Sequence, residues 1–266
     1  MSAVRPSPLI QAMTAAAQAA GEELERDFAA LATLEVQRKG PADYFSAADL
    51  KAERTVQAML KAGYPDYGFL GEEGGMTGGD ARHVWMVDPL DGTTNFLRGL
   101  PLWAVNIALA EDGVPVAGVT YVPPTRELFW AERGGGAWLN GEPIRVSPVS
   151  RLEDALLGVG IPFAGKPRQG QFLVEMERLT PRVAGIRRLG AGAVDLAYVA
   201  CGRLDAFWEQ SVSAWDMAAG AVLVQEAGGL VTNTVGGVLD VMGGTVLGCT
   251  PAIQGELLAA LAPADS

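Results

Sequence analysis

The chain has 266 residues, 49% hydrophobic and 19% charged, with a formal charge of −11 from 20 basic and 31 acidic side chains. A body this acidic has no electrostatic footprint for a nucleic-acid backbone, so a phosphate substrate needs something other than an Arg/Lys cluster to hold it, metal ions first. Two cysteines and one histidine exclude a disulfide framework, a zinc ribbon and His-rich metal sites. No apolar run approaches the ~18 residues of a membrane span. The N-terminus lacks the residue order of a signal peptide, so the expected location is the cytoplasm.

In chain order, Leu9 to Phe28 place Leu9, Met13, Ala16, Ala17, Ala20, Leu24 and Phe28 at helical spacing. A polar link, Arg38-Lys39-Gly40-Pro41-Ala42-Asp43, precedes a second helix that starts at Ser46, with Asp49 as its capping-box partner, and runs to about Ala62. Strands are expected at Tyr67 to Gly71 and Val84 to Val87, then at Trp103 to Ala110 and Val114 to Val122 around the Glu111-Asp112-Gly113 turn. Glu127 to Glu132 and Ala137 to Leu139 continue an antiparallel pattern, with Asn140-Gly141 as the next turn. Beyond about Pro148, strands near Leu156–Gly160, Ile186–Leu189 and Leu204–Trp208 alternate with helices near Gln169–Leu179, Ala193–Cys201 and Trp215–Ala227. Strands near Leu230–Thr232 and Thr245–Gly248 and a helix over roughly Ala252–Leu261 complete the chain. The first half reads as α+β with an antiparallel sheet and the second as α/β. One catalytic unit over 1–266 is expected, with subdomains of about 1–148 and 149–266 sharing a cleft.

Acidic residues fall where strands end or a helix begins: Glu72 in Gly71-Glu-Glu-Gly74, Asp88 and Asp91 in Asp88-Pro-Leu-Asp-Gly-Thr-Thr-Asn-Phe96, and Asp216 in Trp215-Asp-Met-Ala-Ala-Gly220. Hard oxygen donors without His or Cys suit Mg²⁺ or Mn²⁺ and not Zn²⁺. Gly92 allows a sharp turn, and the N–H groups after it can face a phosphate. Taken singly, Asp91-Gly92-Thr93 reads equally as an ordinary turn, and Asp216 as an acid favoured by a helix N-terminus. The weight lies in the four occurring together. Four carboxylates and a phosphate of about −2 are neutralised by three divalent ions. His83 reads as a surface residue before a strand, and Cys201 and Cys249 as buried thiols.

Three motifs occur in the order of one family: Gly71-Glu-Glu73, Val84-Trp-Met-Val-Asp-Pro-Leu-Asp-Gly-Thr-Thr-Asn-Phe96, and Trp215-Asp-Met-Ala-Ala-Gly-Ala-Val-Leu-Val-Gln-Glu-Ala-Gly-Gly229. The chain resembles the inositol monophosphatase family, Mg²⁺-dependent and lithium-sensitive phosphatases, from about residue 8 to 262. The resemblance implies a layered αβαβα sandwich. It implies metal binding by Glu72, Asp88, Asp91, the Leu90 carbonyl and Asp216. Thr93 would hold the attacking water with Asp49 behind it, and Gly92 and Thr93 would offer N–H groups to the phosphate, beside Asp91. Gly190 and Gly192 would line the sugar pocket, and Glu209 would bind ring hydroxyls, although alone it reads as a strand-end surface acid. Lys39 and Asp43 would belong to a flap. The implied reaction is hydrolysis of myo-inositol monophosphates and related small polyol or sugar phosphates by metal-activated water, with two or three Mg²⁺ and no phosphoenzyme. Alternatives are fructose 1,6-bisphosphate, 3′-phosphoadenosine phosphate, histidinol phosphate or NADP as substrate, or a non-catalytic binding role. The family also implies a homodimer, with an interface expected from the strands near Trp103 and Trp130, and no nucleic-acid or membrane partner.

Overall fold

The computed structural model describes residues 5–33, 36–40 and 43–263, the side chains of 33–45 excepted. Helix α1 (Pro8–Phe28) starts at Ser7, whose hydroxyl accepts from the Ile10 N–H, and leads to strands β1 (Val36–Gly40) and β2 (Asp43–Ser46). Helix α2 (Ala47–Gly63) starts at Ser46, where Asp49 closes the expected capping box. Then come β3 (Tyr67–Gly71), β4 (Gly75–Thr77), β5 (Asp80–Asp91), the short α3 (Thr93–Leu97), β6 (Ala104–Glu111) and β7 (Val114–Val122). Strands β8 (Glu127–Glu132), β9 (Ala137–Leu139) and β10 (Glu142–Ile144) complete the first sheet. The rest is β11 (Leu156–Val159), α4 (Gln169–Leu179), β12 (Gly185–Arg187), α5 (Gly192–Ala200), β13 (Ala206–Glu209), α6 (Ala214–Glu226), β14 (Leu230–Thr232), β15 (Val246–Cys249) and α7 (Gln254–Leu261).

These elements stack as the expected αβαβα sandwich. Helices α1 and α2 cover one face of an eight-stranded sheet ordered β10-β9-β8-β7-β6-β5-β3-β4, and α6 packs with α5 on its other face. A five-stranded sheet, β12-β11-β13-β15-β14, lies beyond α5 and α6, and α4 and α7 close its far side. Strand β6 shows how the sequence directs this: Val105, Ile107 and Leu109 face α1 and α2, while the small Ala104, Ala108 and Ala110 face α6 and admit it closely. Among the described residues, no helix is long and apolar enough to cross a membrane.

Several expectations are corrected. The first sheet is mixed and not wholly antiparallel: β3 pairs in parallel with β5, Gly71 opposite Val87, because the chain inserts the β4 edge strand between them and returns on the other side of β3. The second sheet is also mixed, with β12, β11 and β13 parallel and β15 antiparallel to both its neighbours. The polar link is a two-stranded ribbon, Arg38 opposite Tyr44; its polar residues hide the apolar alternation on which strand recognition depends. His83 lies inside β5, half-buried and stacked on Tyr67 with ring centroids 4.6 Å apart. Cys249 is buried, but Cys201 only half-buried. Trp103 and Trp130 are 0% and 5% exposed in the chain's own core, so their side chains offer no interface.

Candidate active site

The strand directions decide where the acids meet. Parallel pairing brings the C-terminal ends of β3 and β5 to one edge of the sheet, so Glu72, just past β3, lies beside Asp88. An antiparallel pair would put them at opposite ends. The parallel β11 and β13 likewise bring Gly160 and Glu209 together, with the Gly160 N–H donating to the Trp208 carbonyl at 3.0 Å. The N-termini of α5 and α6 point at the same place. The result is a pocket of about 170 Å³ lined by Glu72, Asp88, Leu90, Asp91, Gly92, Thr93, Gly160, Lys166, Arg188, Gly190, Gly192, Asp195, Glu209 and Asp216, among others.

Each aspartate has one oxygen tied to a backbone N–H. Asp88 Oδ1 accepts from Leu90 at 2.9 Å, Asp91 Oδ2 from Ala193 in the first turn of α5 at 2.8 Å, and Asp216 Oδ2 from Ser213 at 2.9 Å. The tied oxygen fixes the orientation of each carboxyl group. Asp88 also hydrogen-bonds the carboxyls of Glu72 and Asp216. Burial first, then the charges of Glu72, Asp216 and Asp91, hold the Asp88 carboxyl well above the usual carboxylate range. Burial and Asp216 push Asp91 up to about 7, and burial and Glu72 push Asp216 up to about 6.

Among the described residues, no three His, Cys, Asp or Glu side chains close into a metal cage. The fit to a divalent cation lies in the donors. They are all hard oxygens, crowded and buried at the same sign, with one oxygen per aspartate held in place; added positive charge relieves their repulsion.

Thr93 opens α3 after Gly92, whose φ of 88° and closeness to the Leu102 carbonyl, 2.9 Å from where a Cβ would sit, require glycine. Thr93 Oγ1 lies 3.0 Å from the Leu90 carbonyl and 3.4 Å from Asp49 Oδ1. Its single proton can serve either acceptor. Asp49, raised by burial, is anchored through Oδ2 by the Ser46 N–H at 2.8 Å and the Ser46 hydroxyl at 2.6 Å.

Glu209 ends β13 against two glycines. A Cβ at Gly160 would sit 2.1 Å from its Cδ, and one at Gly192 would sit 3.4 Å from Oε2. Burial, then the charges of Asp216 and Asp91, push Glu209 up to about 8, against the opposing pull of Lys166 and Arg188. It is thus a buried pocket acid and not a surface residue. Gly190, at φ 86°, and Gly192 line the same wall. Lys39 lies in β1 and Asp43 opens β2, but their side chains fall outside the described residues.

The sequence reading missed several residues at this site. Asp195 lines the pocket from α5 with Oδ1 lacking a hydrogen-bond partner, and burial, Asp91 and Glu209 hold it well above its usual range. Its one sequence signal is a lone acid in the apolar run Gly192–Ala200. Glu53 on α2 accepts the N–H groups of Glu73 at 2.9 Å and Gly74 at 2.8 Å, clamping the turn that carries Glu72. Asn95 Nδ2 donates to the Leu102 carbonyl at 2.7 Å and the Leu189 carbonyl at 2.9 Å, tying α3 to the segment before Gly190. No local pattern marks Glu53, whose partners lie 20 and 21 residues away, and the motif that contains Asn95 does not show its bond to Leu189, 94 residues on.

An inositol-1-monophosphatase of Mesorhizobium japonicum is 50% identical to this chain over 256 residues, 96% of each chain. A Nus factor SuhB of Pseudomonas aeruginosa is 46% identical over 234 residues, 86% of each. The crystal structure of extragenic suppressor protein suhB from Bartonella henselae superposes with a TM-score of 0.93 at 46% identity, covering 96% of this chain and 98% of that one. A profile described as the inositol monophosphatase family matches residues 5–265, and with relatives this similar along nearly the whole length the chain belongs to that family of phosphatases.

Proposed function

We propose that this chain hydrolyses myo-inositol monophosphates and related small polyol or sugar phosphates, with Mg²⁺ as its cofactor, two or three ions per site, and Mn²⁺ as a working substitute. The observation that carries the reading is the convergence of Glu72 after β3, Asp88 and Asp91 of β5, and Asp216 of α6 on one pocket. Those four and the Leu90 carbonyl hold the cations. When bound, the cations polarise the phosphoryl oxygens and lower the pKa of water near them.

The chain's own groups do the rest. Thr93 Oγ1 accepts a hydrogen bond from the attacking water and passes its own proton toward Asp49 Oδ1. The N–H groups of Gly92 and Thr93, at the start of α3 where helix geometry leaves donors unpaired, bind the phosphate. Water attacks phosphorus in line, the ester P–O bond breaks, and a second water oriented by Asp216 gives the leaving alkoxide its proton. No side chain acts as a covalent nucleophile. Gly190, Gly192 and Glu209 form the sugar side, with Glu209 binding ring hydroxyls. Lys39 and Asp43 belong to a flap, and the chain works in the cytoplasm as a homodimer.

The test is phosphate release from myo-inositol 1-phosphate, fructose 1,6-bisphosphate, 3′-phosphoadenosine 5′-phosphate, histidinol phosphate and NADP, each with Mg²⁺, with EDTA and with added Li⁺. Mg²⁺-dependent, Li⁺-sensitive release with inositol phosphate preferred is the expected result. Preference for another compound overturns the role given to Glu209. Mg²⁺ binding without release from any of them moves the assignment to a binding role, a reading that the Nus factor name of the Pseudomonas relative keeps specific.

A further inference from the structure

On the face of the first sheet that meets α6, β6 reads Ala104, Asn106, Ala108, and β7 reads Gly118, Thr120, Val122. Asn106 and Thr120 are polar and fully buried. They are paired across the sheet, Asp88 opposite Asn106 and Asn106 opposite Thr120, so an acid, an amide and a hydroxyl lie side by side on three strands.

Their hydrogen bonds run in one direction. Thr120 Oγ1 donates to Asn106 Oδ1 at 2.7 Å, which occupies the amide's acceptor and turns its NH₂ toward α6. Asn106 Nδ2 then donates to the Trp215 carbonyl at 2.7 Å and the Asp216 carbonyl at 3.2 Å. Those carbonyls keep a second lone pair for the helix's own bonds. An apolar pair of the same shape would hold sheet and helix together at little cost. What the polar pair adds is position along the strand.

A second contact fixes the same helix. A Cβ at Gly118 would sit 2.6 Å from the Ala219 carbonyl oxygen and 2.7 Å from its Cα, so the α6 backbone rests directly on β7. Held at 215–216 by hydrogen bonds and at 219 by close packing, the first turn of α6 can neither slide nor rotate. Asp216 stands on that turn, against Asp88.

We propose that Asn106 and Thr120 are positioning residues for Asp216: through the first turn of α6 they set the separation of its carboxylate from Asp88, and with it the affinity of the site for a divalent cation. This rests on the metal-binding role given above to Asp88 and Asp216. The pair touches neither substrate nor cation, and its influence passes through the backbone of α6.

The experiment is Mn²⁺ binding to the full chain, followed by electron paramagnetic resonance of the free ion. Thr120→Val keeps the β-branched shape and removes the donor, so Asn106 Oδ1 loses the bond that fixes the amide's orientation and is left buried without a partner. Thr120→Ser keeps the donor, and Thr120→Ala is the second donor-less variant in case valine does not pack. The expected result is an Mn²⁺ dissociation constant raised about tenfold in the donor-less variants, in the range seen when ligand-orienting partners are lost. Thr120→Ser should return to within about twofold of the unaltered chain, and KM for inositol phosphate at saturating Mg²⁺ should not change. Unaltered Mn²⁺ affinity in Thr120→Val or Thr120→Ala, or equal impairment in Thr120→Ser, overturns the proposal. Asp216→Asn is the control: if it binds Mn²⁺ as the unaltered chain does, the metal assignment itself fails.

Discussion

Asp88 is constrained from several sides at once. It is buried, bound through Oδ1 by the Leu90 N–H, and pressed by Glu72 and Asp216. Asp88→Asn keeps the shape and the tied oxygen but removes the charge that a cation would neutralise. Phosphate release at saturating Mg²⁺ is therefore expected to fall by about three orders of magnitude, the scale seen when a group stabilising transition-state charge is removed. Near-normal turnover would refute the assignment. Glu209 is proposed for a different part of the reaction, the binding of ring hydroxyls, and the pocket holds it against Gly160 and Gly192. Glu209→Gln is expected to raise KM for inositol 1-phosphate about tenfold, a loss of about 1.4 kcal/mol within the range of one hydrogen bond, and to change kcat little. Steady-state kinetics separates the two constants; a fall confined to kcat would place Glu209 among the reacting groups.

At the scale of elements, strand direction and helix origin assemble the pocket. The parallel pair β3 and β5 puts Glu72 at the end where Asp88 and Asp91 emerge. Helix α2 then takes part through its first two turns: Asp49 in the first faces Thr93, and Glu53 one turn later clamps the Glu73 and Gly74 N–H groups. That clamp explains the glycines there, since a Cβ at Gly71 would sit 2.4 Å from Glu53 Oε2 and one at Gly74 would sit 2.8 Å from Oε1. Glu53→Ala frees the turn without touching the pocket. The Mg²⁺ concentration for half-maximal phosphate release is expected to rise about tenfold, as for a lost ligand-orienting partner. A Mg²⁺ titration of the purified variant checks it, and an unchanged midpoint would assign Glu53 to stability alone.

For the whole molecule, the buried acids tie stability to pH. Asp91, Asp216 and Glu209 sit at about 7, 6 and 8, and Asp88 and Asp195 are also raised. Between about pH 4 and 8 the folded metal-free chain therefore holds protons that the unfolded chain has released, and stability must fall as pH rises through that window. The contribution is complete below the ordinary carboxylate range and lost above the raised values. Thermal unfolding in EDTA is expected to show a lower Tm at pH 8 than at pH 5.5. Saturating Mg²⁺ favours the ionised carboxylates and should shrink that difference. A Tm that rises with pH in EDTA would show that the acids are not buried at one another's expense. The net charge of −11 acts in the same direction, since self-repulsion grows as carboxylates ionise.

By itself the sequence determined what depends on nearby residues and on residue chemistry. The Ser46 and Asp49 cap placed the start of α2, the Asn140-Gly141 turn placed the β9–β10 hairpin, and apolar periodicity located α1, α4 and most strands to within a few residues. The motifs around Glu72, Asp88 and Asp216 named the family and the acids in the pocket. Tertiary structure alone decided what depends on strand order and long-range approach. The parallel pairing of β3 with β5 was not legible, because alternation records which face is buried and not which neighbour a strand chooses. That the Trp103 and Trp130 side chains, in or beside the strands expected at an interface, point into the chain's own core was likewise decided by packing. Asp195 showed only as a lone acid in an apolar run, and Glu53 and the Asn106–Thr120 pair had no signature, since such a residue gains its meaning only from the surroundings the fold brings to it. A hydrogen bond between residues about a hundred positions apart, such as Asn106 to Trp215, leaves no trace in spacing. It exists because five layers close on one another and leave a buried polar group only one place to go.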